Sequence, residues 1–169
     1  LRKSYFGITD SNKKLGIFVG ALNEVKGWNR IKNIIDKNND IFWIVVSKHE
    51  EKLENITNVY KYSKVSQEGL CDLYNMADFF IIGSPSETQC LAAIESCLCN
   101  TPIIMRNTGF VTDLNDNEKT QIGIIGDNLA EAVDKFKTEK LTFNPRKIVL
   151  KYFSIEEMNK KWIELIDKI

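Results

Sequence analysis

The sequence predicts an α/β fold: one doubly wound, Rossmann-like domain built on a parallel sheet. Two patterns and the length of the chain predict it. Short apolar runs without polar alternation, such as LGIFVGA at 15–21 and DFFIIGS at 78–84, have the composition of strands covered on both faces. Stretches with apolar residues at helical spacing stand between such runs, and strands that alternate with helices form parallel sheets with helices on both sides. A chain of 169 residues suffices for one domain with a substantial core and is short for two.

The elements follow in order. The first strand is 15–21. KGWNRIKNIIDK, 26–37, sets Trp28, Ile31, Ile34 and Ile35 on one helical face with basic residues between them. DIFWIVVS, 40–47, is rich in aromatic and β-branched residues and predicts the second strand, and NVYKY, 58–62, a shorter third. Leu70, Leu73, Tyr74 and Ala77 share a face of a helix over 67–77, and 78–84 is the fourth strand. A helix starting near Glu87 or Thr88, with Ser86 as N-cap, buries Leu91, Ala92, Ile94, Cys97 and Leu98. Asn100 stands where a left-handed residue ends that helix, and Pro102 cannot continue it. Strands at 102–105 and 122–126 and helices at 128–136, 145–153 and 154–169 complete the chain, with Ser154 and Glu157 spaced as a capping box.

Composition excludes several classes. Lysine plus arginine equals aspartate plus glutamate, 23 each, so no net field favours nucleic acid or an anionic membrane. No apolar run reaches the length of a membrane span. Cys71, Cys90, Cys97 and Cys99 include no zinc-type pair, the single histidine, His49, is remote, and free thiols suit a reducing cytosol. Leu1 in place of methionine suggests a fragment of a longer protein or a processed one.

In doubly wound sheets, ligands bind beyond the carboxyl ends of the strands, which points to loops 20–27, 47–49, 62–67, 83–88 and 105–110. SPSETQCLAAIESCLCNTPII, 84–104, starts in one of them and carries Glu87 and Glu95 around an apolar run. On one helix their α-carbons would lie about 12 Å apart, too far to share one reacting centre and suited to an extended ligand. The helix N-terminus between them would favour phosphate. The plainer alternative is that Glu87 complements the helix dipole and Glu95 is solvated.

Two more stretches bear on that choice. Val19-Gly20-Ala21-Leu22 is followed after three residues by Lys26-Gly27, at a strand-to-helix junction. Ala77-Asp78 opens a strand, and Ser84, Glu87, Leu91, Glu95, Cys99, Thr101-Pro102 and Gly109 follow in order. This series resembles the donor-binding, C-terminal half of retaining GT-B glycosyltransferases of the family 4 type. Their pattern runs V-G-R-L, three residues, K-G, then S-x-x-E-G-F-G-L, three residues, E-A-M-A-C-G-T-P-V. The closing segment YFSIEEMNKKWIELI also resembles the family's last helix, so the likeness spans nearly the whole chain.

The resemblance implies that residues 1–169 are one donor-binding domain, one half of a GT-B fold whose N-terminal acceptor-binding half is absent. It implies a hexosyltransferase-type enzyme that moves a sugar from a nucleoside diphosphate to an acceptor in glycan biosynthesis, without metal or other cofactor. Glu87 would contact the donor sugar and Lys26 the departing diphosphate, as the catalytic pair. Glu95 would bind the ribose, and Gly20, in the first loop, belongs to the same substrate-binding set. Backbone N–H groups of Gln89, Cys90 and Leu91 would hold phosphate oxygens. Lys64 and Val65 would touch the nucleobase, and Gly109 would allow close backbone approach to the sugar. A cytoplasmic location is implied, with any peripheral membrane association made through the absent half, and the isolated domain would transfer little or nothing.

Some residues depart from the family pattern. Ala21 replaces its arginine, with Arg30 a second cation on the following helix. Thr88-Gln89-Cys90 replaces Gly-Phe-Gly, which narrows the space for backbone approach, and Phe110 replaces the second glycine of a Gly-Gly loop. The alternatives are a non-catalytic nucleotide-sugar binding module and half of a GT-B-like nucleotide-sugar epimerase. His49 is expected at the surface, and Trp43, Phe79 and Phe80 in the core.

Overall fold

The computed structural model describes residues 3–8, 12–49, 53, 56 and 58–168. Among these, six strands form one sheet: β1 (Lys14–Val19), β2 (Ile41–Val46), β3 (Val59–Tyr62), β4 (Phe79–Ile81), β5 (Ile103–Met105) and β6 (Gly123–Ile125). Every neighbouring pair is parallel and the spatial order is β3-β2-β1-β4-β5-β6. Strand order therefore reverses between β1 and β4, which places the switch point there. Ile17, Phe18, Trp43, Ile44, Phe79, Phe80, Ile103 and Ile104 are all fully buried, which explains the unbroken apolar runs. Trp43 and Phe79 meet edge to face across β1, with ring centroids 5.6 Å apart.

The helices are α1 (Trp28–Lys37), α2 (Gln67–Met76), α3 (Leu91–Leu98), α4 (Asp116–Ile122), α5 (Leu129–Thr138), α6 (Pro145–Phe153) and α7 (Ile155–Ile166). α1 buries the four expected residues, Trp28, Ile31, Ile34 and Ile35. Ser154 both ends α6 and caps α7, accepting a 3.1 Å bond from the Glu157 N–H, so the two helices are separate. Residue 169, the end of the expected last helix, lies outside the described residues. α3 packs between α2 and α6.

Sequence periodicity misses α4, because its residues are almost all polar. Its start is a capping box. The Asn115 side chain accepts from the Glu118 N–H at 3.0 Å, and the Glu118 carboxylate accepts from the Asn115 N–H at 3.2 Å. Glu118 is buried because Lys151 Nζ and Tyr152 Oη of α6 each donate to it at 2.7 Å, and those bonds hold its carboxyl below the ordinary range.

Two contacts set the geometry at the ends of the central strands. At the amino ends, Asp78 brackets Leu15: the Leu15 N–H donates to Asp78 Oδ2 and the Asp78 N–H to the Leu15 carbonyl, both at 2.7 Å. At the carboxyl ends, Gly27 caps α1 with left-handed backbone, φ 67°. A Cβ there would stand 2.0 Å from the Gly83 carbonyl oxygen. The loops after β1 and β4 thus touch backbone to backbone.

Replacing Gly27 with alanine should cost roughly 3 kcal/mol, since it adds a left-handed strain and a backbone clash. Gly7 has the same φ, 67°, with nothing within 4 Å of an added Cβ, so Gly7→Ala isolates the strain alone. Urea denaturation of both variants should show Gly27→Ala as the more destabilised. Equal losses would mean that the Gly27–Gly83 approach is slack.

Candidate functional site

The loops after β1, β4 and β5 meet at the switch point. Lys26 precedes Gly27, and its Nζ lies 2.7 Å from Glu87 Oε1. The same oxygen accepts a 2.6 Å bond from Ser84 Oγ, and Ser84 is 1% exposed. The Glu87 N–H donates to Thr108 Oγ1 at 2.8 Å, tying the β4 loop to the β5 loop. The Glu87 side chain is 10% exposed, so its charge is stabilised by Lys26 and the Ser84 hydroxyl instead of by bulk water.

Helix α3 begins later than the sequence predicts. Leu91 is its first residue and Cys90 its N-cap, so Glu87, Thr88 and Gln89 lie in the preceding loop and Ser86 caps nothing. Glu87 and Glu95 do not share a helix, so the separation of about 12 Å expected from helical rise does not describe them. Leu91 faces solvent, at 64% exposed, and Ala92 and Leu98 are half-buried; the buried side is Ala93, Ile94, Ser96 and Cys97. The apolar pattern misleads because Leu91 lies on the exposed side of the first turn. Asn100 does take the left-handed conformation, φ 62°.

Cys90 is also left-handed, φ 66°, a conformation that costs an L-residue about 1–2 kcal/mol. Its thiol is pushed up to about 11 by burial, with the Glu87 and Glu95 carboxylates adding and the Ala93 N–H and Lys26 opposing. Cys90 therefore lies within the fields of Lys26, Glu87 and Glu95. Gly109 has φ 66°, and a Cβ there would meet the Gln89 carbonyl at 2.9 Å and Glu87 Cβ at 3.1 Å. The Phe110 N–H donates to the Gln89 carbonyl at 3.2 Å. Phe110 itself is 2% exposed and meets Phe153 edge to face, so its ring fills core rather than loop space.

Beyond β1, β2 and β3 lies a cavity of about 690 Å³, lined by Gly20, Ala21, Ser47–His49 and Ser63–Ser66 with Val19 and Val46 at its base. Gly20, Lys64 and Val65 thus come together here, and Lys26 links them to the ion pair, its Cγ 3.5 Å from where a Gly20 Cβ would stand. His49 is exposed, as expected, yet borders the cavity. Glu95 is half-buried on α3, with Tyr74 Oη donating to its Oε2 at 3.4 Å. Burial and the Glu95 carboxylate push the Tyr74 hydroxyl far above its ordinary range, so it stays a donor. Among the described residues, Arg30 donates to the Gly83 carbonyl, at 3.5 Å.

Sequence reasoning did not single out Ser84, Thr108 or Tyr74 as site residues. Ser84 was legible as a hydroxyl three residues before a carboxylate. Thr108 and Tyr74 depend on tertiary contacts that no local spacing encodes. Among the described residues, no group of three or more histidine, cysteine, aspartate or glutamate side chains could hold a metal ion, and no helix is long and apolar enough to cross a membrane.

Residues 6–152 match the family described as glycosyl transferases group 1, and the chain belongs to that family. No curated protein sequence matches. Solved structures similar to it include sucrose-phosphate synthase from Thermosynechococcus elongatus (19% identity, TM-score 0.77, 99% of this chain and 49% of that chain). Anabaena Alr3699/HepE, solved with UDP and glucose, is 16% identical with TM-score 0.72, over 99% of this chain and 51% of that one. The catalytic domain of starch synthase IV from Arabidopsis thaliana, solved with ADP and acarbose, is 16% identical with TM-score 0.69, over 95% and 39%. The fold is that of a Rossmann-like half of the GT-B glycosyltransferase type, and the chain spans about half the length of the first of these, 49%.

The strain at Cys90 is measurable. Cys90→Gly should be more stable than Cys90→Ala by about 1 kcal/mol, because both lose the thiol and only glycine is at ease at φ 66°. The order is the reverse of the usual helix preference. An alanine variant as stable as the glycine one in urea denaturation would mean that the position relaxes out of the left-handed region.

Proposed function

We propose that this member of the glycosyl transferases group 1 family is the donor-binding domain of a retaining enzyme, family 4 in type, which transfers a sugar from a nucleoside diphosphate to an acceptor. The observation that carries the reading is the Lys26–Glu87 pair, held at the switch point beside the first turn of α3 and the cavity beyond β1–β3. Diphosphate would lie against Lys26 and the free N–H groups at the start of α3, where the helix dipole favours negative charge. The base would occupy the cavity, against Lys64 and Val65, and the ribose would meet Glu95.

In the reaction, the bond from the anomeric carbon to the diphosphate oxygen breaks, and an acceptor hydroxyl bonds to that carbon from the same face while its proton passes to the leaving diphosphate. Negative charge grows on the leaving diphosphate, so a fixed cation stabilises the transition state more than the ground state. Lys26 supplies that cation. Glu87, oriented by Ser84, would accept bonds from donor sugar hydroxyls, and Gly109 lets the β5 loop pack against Gln89 and Glu87 so that this carboxylate is held in place. None of these residues calls for a metal. The acceptor site would come from a partnering N-terminal half, and the chain alone would bind donor without transferring it.

Ala21 favours a second reading. It lines the cavity where the family pattern has arginine, which suits a nucleotide-sugar binding module without catalysis. Turnover of a nucleoside diphosphate sugar by the chain joined to its acceptor half would exclude that module.

Calorimetric titration with UDP, ADP and GDP tests the binding site. At least one should bind, and Glu95→Ala should weaken it by roughly 1.5 to 3 kcal/mol, the range for a hydrogen bond to a charged group. Unchanged affinity in the variant would make Glu95 a solvated helix residue. Binding of no nucleotide at millimolar concentration would remove the donor site altogether.

A further inference from the structure

Helices α2 and α3 meet along a seam with two rungs. One is Tyr74 to Glu95, 3.4 Å. The other is Cys71 Sγ to Cys99 Sγ, 3.5 Å. Cys71 lies three residues before Tyr74 on α2, and Cys99, the C-cap of α3, four after Glu95, so the two rungs fall on one side of each helix. The nucleotide-site reading uses only the Glu95 rung. Cys71 is exposed and Cys99 half-buried, so a small reagent reaches the first thiol and the second waits behind it. Asn75 Nδ2 donates to Cys71 Sγ at 3.4 Å and to the Cys71 carbonyl at 2.9 Å, which holds that sulfur at the seam. Cys90 and Cys97 are buried and apart from this pair.

We propose that Cys71 and Cys99 are a thiol–disulfide exchange site, closed by low-molecular-weight disulfides such as oxidised glutathione, and that closing it weakens nucleotide binding through Glu95. The thiolate of Cys71 attacks one sulfur of glutathione disulfide, forming a mixed disulfide and releasing one glutathione. The thiolate of Cys99 then attacks Cys71 Sγ and releases the second. Two protein thiols are oxidised, one glutathione disulfide is reduced to two thiols, and the two protons pass through solvent to the released glutathione. The sulfurs need to close from 3.5 Å to about 2.05 Å, a movement that side-chain rotation and a small helix shift can supply. Burial and the contact with Cys71 push the Cys99 thiol up to about 12. The second step therefore quickens as pH rises and more of Cys99 loses its proton.

The coupling half rests on Glu95 as a nucleotide ligand. Drawing α2 towards α3 brings Tyr74 Oη closer to Glu95 Oε2, so a ribose hydroxyl must compete with a better-placed donor. The disulfide half stands independently of that reading.

The test exposes the chain to glutathione buffers of increasing oxidised fraction, then measures intact mass, free thiols and calorimetric binding of UDP and ADP. The expected product has lost two hydrogens, with Cys90 and Cys97 still free, and Cys71→Ser and Cys99→Ser do not form it. Nucleotide affinity should fall about fivefold on oxidation, return with dithiothreitol, and stay constant in Cys71→Ser. In Glu95→Ala, oxidation should leave the residual affinity unchanged. A chain that stops at the glutathione adduct of Cys71 overturns the exchange site. A disulfide that forms with no change of affinity, where Glu95→Ala does weaken binding, overturns the coupling alone. A reduced chain that binds neither nucleotide overturns the donor-site reading and the coupling with it, and the mass measurement still decides the disulfide.

Discussion

The approach of Gly27 to Gly83 is the constraint on which the rest of the site depends. The two loops leave adjacent strands at the point where sheet order reverses, and side chains at both positions would hold them apart. With Cβ atoms absent, Lys26 lies over the β4 loop and reaches Glu87. Gly109 repeats the device between the β4 and β5 loops, where an added Cβ would strike the Gln89 carbonyl. Three loops from three neighbouring strands are therefore packed at backbone distance, and polar side chains join them: Lys26 to Glu87, Ser84 to Glu87, and the Glu87 N–H to Thr108.

That packing sets the electrostatics. A carboxylate 10% exposed needs partners, and Glu87 has an ammonium and a hydroxyl on one oxygen. Lys26, at 32% exposed, keeps a face towards solvent, so it can meet a second anion without leaving the first. The Cys90 thiol, raised to about 11, stays protonated at neutral pH and adds no negative charge beside the first turn of α3. The site therefore retains the positive end of the helix and the lysine as its available partners for an anion.

Much of this was legible in the residues. The unbroken apolar runs gave the parallel sheet, and the rule of carboxyl-end loops led to Lys26 through 20–27, to Glu87 through 83–88, and to the cavity through 20–27, 47–49 and 62–67. What was not legible has physical reasons. α4 is amphipathic only weakly and is held by a buried carboxylate whose partners come from α6, more than thirty residues later, so periodicity could not find it. The start of α3 was misplaced because Ser-Pro-Ser-Glu has the composition of a helix start. The chain instead turns through a left-handed Cys90, a conformation that cysteine rarely signals.

The departures from the family pattern now separate into two kinds. At Cys90 the backbone takes the left-handed conformation that glycine would take freely, so the substitution is absorbed as strain and the path of the loop is retained. At Phe110 the ring turns into the core against Phe153, so a large residue in place of glycine adds nothing to the crowding between Gly109 and Gln89. Both changes leave the polar geometry of the loops intact. Ala21 is different, because it lines the cavity and brings no cation to it, and Arg30 is turned to the Gly83 carbonyl. In the proposed reading, the charge that would face a diphosphate therefore rests on Lys26 and the end of a helix. A loss of cationic strength at one position, within loops whose backbone is otherwise held, is expected to alter how tightly a diphosphate is bound and how well its departure is stabilised, more than where it lies.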